Sequence, residues 1–318
     1  MLNLPPDQLR QRLLMSDTRT AWLQIHLCVV LWGFTAILGK LISLQALPLV
    51  IWRMGLVAVA LMLLPSIWRA MRTLPVRLVL AYSAIGALVA LHWLTFYGAI
   101  KLANASVAVT CIATVPVFLA VIEPVLAGRR FQPKELLLGL LVLPGIILVV
   151  GGTPDTMNGG IIMGIVSALF VALFASLNKR FVLKADALTV TAIEMATGCL
   201  FLIALAAAFS LADISAINGI VDEPAAFLNP PQNTDLLWMI VLALGCTLLP
   251  FALSLVALRQ LSAYATALAV NLEPIYAIIL AALLLGEQQE LSASFYMGAS
   301  IIIAVVLIYP WLMRSRPA

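Results

Sequence analysis

Apolar runs of about 20 residues recur along the chain at 21–40, 48–68, 78–100, 104–127, 135–151, 159–178, 187–211, 236–257, 262–285 and 292–312. Each is long enough to cross roughly 30 Å of hydrocarbon. Each is expected to be a helix, because a helix satisfies its own backbone groups in lipid and an open strand does not. Polar residues collect in the connections, most of which are short, so consecutive spans are expected to be antiparallel neighbours. The exception is 212–234, which holds three prolines and no Lys or Arg.

The pattern is written twice. An offset of 158 residues relates Pro116 to Pro274, Gly128 to Gly286, Ala99 to Ala257, Lys101 to Arg259 and Ala105 to Ala263. The first and sixth spans align with an offset of 139, Lys40 to Lys179, and the long 212–234 connection accounts for the difference as an insertion in the second copy. Ten spans in two copies give five each. An odd number makes the second copy enter the membrane from the opposite side, which is the inverted repeat of alternating-access transporters.

Composition removes the soluble alternative. Hydrophobic residues make up 64% of the 318 and charged residues 10%, against about a quarter charged in soluble domains. The basic residues lie between the spans, with no continuous patch interleaved with aromatics, so they are read as topology determinants and not as a nucleic-acid surface. Fifteen Lys and Arg fall on one side and only Lys40 and Lys101 on the other, with Arg53 inside a span. The positive side is cytoplasmic, so both termini are expected inside and 212–234 outside. Cys28, Cys111, Cys199 and Cys246 sit in apolar spans without CxxC spacing, so neither a disulfide framework nor a zinc site is indicated.

The chain resembles the EamA type of the drug/metabolite transporter superfamily. The resemblance rests on WGF (Trp32 to Phe34), WRM (Trp52 to Met54), FYGAIKLANASVAV (Phe96 to Val109) followed by Pro116, ALRQLSAYATA (Ala257 to Ala267), LEP (Leu272 to Pro274) and LLGE (Leu284 to Glu287). It covers about 21 to 312 and says nothing about substrate. One departure is GRRF at 128–131, where GE is usual, so that turn is expected to differ from its counterpart. The resemblance implies an all-α polytopic membrane protein of ten transmembrane helices in two inverted five-helix repeats. The implied division is tail 1–20, repeat 21–151, repeat 152–312 and tail 313–318 in the inner membrane. It also implies secondary transport, often efflux, of small metabolites, with no cofactor and no metal.

Ionisable groups inside spans are costly and mark cavities or partners. At 1.5 Å per residue Glu273 lies about 16 Å deep, at the midplane, beside Pro274, which frees the carbonyl of residue 270. Its carboxylate can hold a substrate amine or take up a proton. Asn271 is two residues away. His92 can titrate near neutral pH; it shares a helix face with Phe96, while Trp93 and Tyr97 share the adjacent face. Trp32, near the midplane, is a candidate pocket floor. Arg53, roughly 8 Å below the outer surface, can grip a carboxylate, snorkel outward or pair with an acid as a gate. Packing between helices is the plainer reading of each of these side chains. Glu123 and Glu194 are expected to pair with bases such as Arg129 or Lys179. Glu287 and Glu290 are expected to be solvated.

The expected function is alternating-access transport, in the direction of export, of a small amphipathic metabolite such as an amino acid, with protons as a candidate coupling ion and a monomer as a workable state. A pocket with both charge signs suits a zwitterion. An organic-phosphate or nucleotide-sugar antiporter of the same superfamily is the alternative, disfavoured because Arg53 alone among bases lies clearly within a span. A passive channel is a weaker one. No HExxH or GxSxG occurs, which counts against a membrane enzyme.

Overall fold

The computed structural model describes residues 6–212, 234–270 and 272–312 together with 220, 228 and 230–232. Side chains before 18, at 264, 267, 268 and 306, and from 309 onward are not among them. Most of the expected 212–234 loop and the 313–318 tail therefore lie outside the described residues, and so does Asn271.

The described chain is all helix. Its elements are α1 (Pro6–Leu41), α2 (Ala46–Met62), α3 (Pro65–Thr73), α4 (Val76–Leu102), α5 (Ala105–Ile112), α6 (Val115–Ala127), α7 (Pro133–Leu140) and α8 (Leu143–Gly151). Then come α9 (Asn158–Phe181), α10 (Ala187–Leu211), α11 (Thr234–Ile240), a π-helical stretch (Val241–Leu248), α12 (Leu249–Ala257), α13 (Ala263–Val270), α14 (Glu273–Leu285) and α15 (Ala293–Leu312). Among the described residues, seven helical stretches are long and apolar enough to cross a membrane, or eight if the bent pair α2–α3 is one span; two shorter apolar helices follow in 273–305. Helix α1 runs back through most of the expected tail.

Proline explains where the spans break. It lacks an N–H and its ring clashes with the carbonyl four residues earlier, so a first turn suits it better than an interior, and Pro124 inside α6 is an exception. Pro116 and Pro274 open α6 and α14, and Pro65 opens α3, which turns 90° from α2. The expected runs 104–127 and 262–285 are thus each two helices, and 48–68 ends in a corner.

Packing corrects the expectation that consecutive spans are the main neighbours. Helix α4 lies against α9 and α10, α2 against α10, and α1 against α12 and α14, so the extensive contacts run between the halves of the chain. Small residues decide which helices close up. At Gly86 of α4 an added Cβ would lie 2.5 Å from the carbonyl oxygen of Glu194 on α10.

Two opposed faces have matching fastenings. On one, Lys101 at the end of α4 donates to the carbonyl of Ile42 at 2.6 Å; on the other, Arg259 beyond α12 donates to that of Ala185 at 2.9 Å. On the first, Glu287 accepts from the backbone N–H groups of Ala105 (3.0 Å) and Ser106 (2.9 Å) and from the Ser106 hydroxyl (2.7 Å), capping α5. On the second, Glu123 accepts from the N–H of Ala263 at 3.0 Å, at the start of α13, and lies 3.4 Å from Arg129 Nε. Glu287 is 1% exposed, which overturns its expected solvation. Glu290 is exposed as expected, although it accepts from Asn104 at 3.0 Å. The GRRF turn does not differ in backbone at its first residue: Gly128 and Gly286 have φ of 71° and 72°, a conformation that favours glycine.

Candidate functional site

A cavity of about 990 Å³, counting the space at its open side, lies between the halves of the chain. Its walls come from α1, α2, α4, α5 and α6 in the first half and from α9, α12, α13 and α14 in the second. Apolar and aromatic side chains form most of the lining, among them Phe96, Phe174 and Phe251. This is the composition of small-molecule pockets, in which a few polar groups fix orientation.

Five of the residues singled out from sequence meet here: Trp32, Arg53, His92, Trp93 and Glu273. Glu273 is 8% exposed and begins α14, at the break that Pro274 imposes. None of the described residues donates a hydrogen bond to its carboxylate. The last turn of α13 meets the same cavity through Val270. The carbonyl end of α13 carries partial negative charge and the amide end of α14, where Glu273 stands, partial positive charge, so it is the carboxylate that favours a cation.

Arg53 neither snorkels nor forms an ion pair among the described residues. It is 1% exposed, and its guanidinium stacks 3.8 Å above the Trp93 ring. Nε donates to Thr247 Oγ1 at 2.6 Å and an Nη donates to the Tyr97 hydroxyl at 2.8 Å. Tyr97 is fully buried behind Arg53 and does not line the cavity; it positions the guanidinium. No local pattern pointed to Thr247. It sits in the π-helical stretch, where the wider winding displaces the usual backbone bonds, and its hydroxyl donates to the Leu242 carbonyl at 2.6 Å. Two of the five guanidinium N–H donors are thereby used within the protein.

The Ser167 oxygen lies 2.8 Å from the His92 carbonyl and 2.7 Å from His92 Nδ1, so one hydroxyl ties the ring of α4 to α9. Where that hydroxyl gives its proton to the carbonyl, Nδ1 carries the ring proton and Nε2 of the neutral ring is an acceptor. The ring stands 6.0 Å from Phe96 and 5.6 Å from Phe174, centroid to centroid.

Three lining residues were missed. Thr35 and Thr266 carry buried hydroxyl oxygens with no hydrogen-bond partner among the described residues, and Asn178 has an amide oxygen in the same condition. Thr35 lies three residues after Trp32 and hence on its face, a spacing visible in the sequence. Thr266 and Asn178 had no such signal. Glu123 meets Arg129 as expected. Glu194 does not meet a base among the described residues: its neighbour is Asn178, whose amide nitrogen lies 3.5 Å from Oε2.

A cavity between two packed half-chains, rimmed by broken helices, is an arrangement that suits a membrane transporter. The EamA-like transporter family model matches residues 20–151 and again 158–309, and the chain belongs to that family, whose members are membrane transporters and not enzymes. A solved structure titled "Crystal structure of protein" is similar over 93% of this chain and 99% of its own, with a TM-score of 0.63 and 16% identity, a likeness of fold alone. No curated protein sequence matches.

Proposed function

We propose that the protein is a secondary active exporter of a small amphipathic metabolite, such as an amino acid, working by alternating access between two inverted five-helix repeats. The observation that carries this reading is the cavity itself: both halves wall it, and it presents Glu273 and two unpartnered hydroxyls against aromatic surfaces. A primary ammonium has three N–H donors. Glu273, Thr35 and Thr266 offer three acceptors for them. The remaining guanidinium N–H groups of Arg53 suit a carboxylate, and Phe96, Phe174 and Phe251 suit an apolar side chain. Basic residues concentrate on the Arg129 face, which is then cytoplasmic and holds both termini in an inner-membrane protein. One base with two donors already engaged argues against an organic-phosphate antiporter.

The test is counterflow in proteoliposomes with a panel of labelled amino acids, comparing wild type with Glu273→Gln. Loss of about one pairing interaction with the amine should weaken apparent affinity about tenfold or more. Unchanged affinity and unchanged pH dependence would remove Glu273 from the site.

A further inference from the structure

Beneath the cavity lies a second buried acid that the substrate site does not use. Glu194 on α10 is 0% exposed and Asn178 on α9 is 2% exposed. Asn178 also lines the cavity, so the pair is continuous with it. Their bond is at its limit, Nδ2 to Oε2 at 3.5 Å, and the other two oxygens, Glu194 Oε1 and Asn178 Oδ1, have no partner among the described residues. Two buried acceptors side by side are short of one hydrogen. A carboxylate and a primary amide can share one hydrogen bond. A carboxylic acid and the same amide share two, the acid O–H donating to Oδ1 and the amide N–H donating to the acid carbonyl. Adding a proton therefore satisfies every atom of the pair and removes a buried charge.

No base competes for that role among the described residues. Lys179 on α9 donates from Nζ to the carbonyls of Leu258 (2.7 Å) and Leu261 (2.5 Å), and Arg180 to that of Leu126. From α4, Tyr82 donates its hydroxyl to the Phe181 carbonyl at 3.0 Å. From α2, Arg53 is held by Thr247 and Tyr97. Arg69 and Arg72 of α3 and Arg77 of α4 are exposed, α12 carries no ionisable residue, and the exposed Arg259 just beyond it donates to the Ala185 carbonyl at 2.9 Å. On α10 itself, Asp186 caps the first turn through Thr189 N–H at 2.9 Å. The close crossing of α4 over α10 at Gly86 seals the opposite side of Glu194.

We propose that Glu194 and Asn178 form a proton-binding site that couples transport to a proton gradient, separate from the substrate carboxylate Glu273. The coupling role rests on the carrier reading above; the proton site itself does not. A proton arriving through the cavity forms the O–H bond on Glu194 and neutralises it. The same bond breaks to water when the halves rock and the pair is wetted from the other face.

Infrared difference spectroscopy of the full chain in proteoliposomes, titrated with protons alone, tests the site without a substrate. Wild type should show a protonated-carboxyl band at neutral pH that Glu194→Gln removes and Glu273→Gln retains. Asn178→Ala should shift that band by taking away its hydrogen bond, which decides the matter if Glu194→Gln does not accumulate in the membrane. A wild-type spectrum in which neither variant alters a carboxyl band overturns the site, as does a band governed by sodium and not by pH. With any amino acid that exchanges in the panel, Glu194→Gln should keep counterflow but lose accumulation driven by a one-unit pH gradient, about tenfold for one proton. Counterflow with coupling intact overturns the coupling role and leaves the carrier reading standing. Absence of counterflow in wild type sinks the carrier reading and with it the coupling role, while the spectrum still judges the site.

Discussion

Ala105 and Ala263 stand 158 residues apart, at the starts of two corresponding helices on opposite faces of the molecule, and a buried carboxylate takes the backbone N–H of each. The carboxylates do not correspond. Glu287 caps α5 through three donors. The residue 158 positions earlier is Arg129, and there the cap on α13 is made by Glu123, which shares Arg129 with Glu135. One latch is an anion enclosed by the positive end of a helix. The other is a chain of charges whose arginine is 20% exposed. Duplication has kept the latch and exchanged its chemistry, which makes the two faces separately adjustable.

The largest effect should come from Glu287→Ala, which strands two N–H groups and a hydroxyl in a buried setting at a cost of about 3 kcal/mol. Thermal unfolding in detergent would show it as a drop of several degrees. In a cysteine-free background a Thr35→Cys probe should label faster from the Glu287 face. Glu123→Gln should cost less, about 1–2 kcal/mol, and should speed labelling of the same probe from the Arg129 face. Equal changes in access from both faces would show that the two latches are not separate. Placing the second copy's acid in the first, with Arg129→Glu added to Glu123→Ala, should recover about 1 kcal/mol of the lost stability if the caps are interchangeable. Raising ionic strength should weaken the Arg129 latch by under about 1 kcal/mol and leave the Glu287 latch unmoved, read from unfolding midpoints of the two single variants. Asp235→Asn, which loosens an exposed contact with Ser43, should change the midpoint least, by under about 0.5 kcal/mol.

The all-helical membrane class and the duplication were legible because hydropathy and a fixed offset act over tens of residues. The freed carbonyl at 270 was legible too, since Pro274 denies it its partner, but the division of 262–285 into two helices was not. The meeting of Arg53, His92 and Glu273 followed from their cost in lipid, and Trp32 and Trp93 were named beside them as aromatic pocket surfaces. What escaped was pairing at long range. Nothing local tells that Glu287 reaches Ser106, or that Glu194 faces an amide and not Lys179. An apolar window registers that a polar residue is present without registering what satisfies it. The π-helical winding at 241–248 left no mark either, because its composition is that of any apolar helix.

That winding bears on which length changes the chain can absorb. A π turn holds one residue more than an α turn, so Val241–Leu248 behaves like an insertion stored inside a span. Deleting a single residue there would restore ordinary winding without shortening the hydrophobic reach seriously. It would draw in the bulge that carries Thr247 and take its hydroxyl away from Arg53. Relatives with one residue fewer in this stretch are then expected to hold a different residue type at 53.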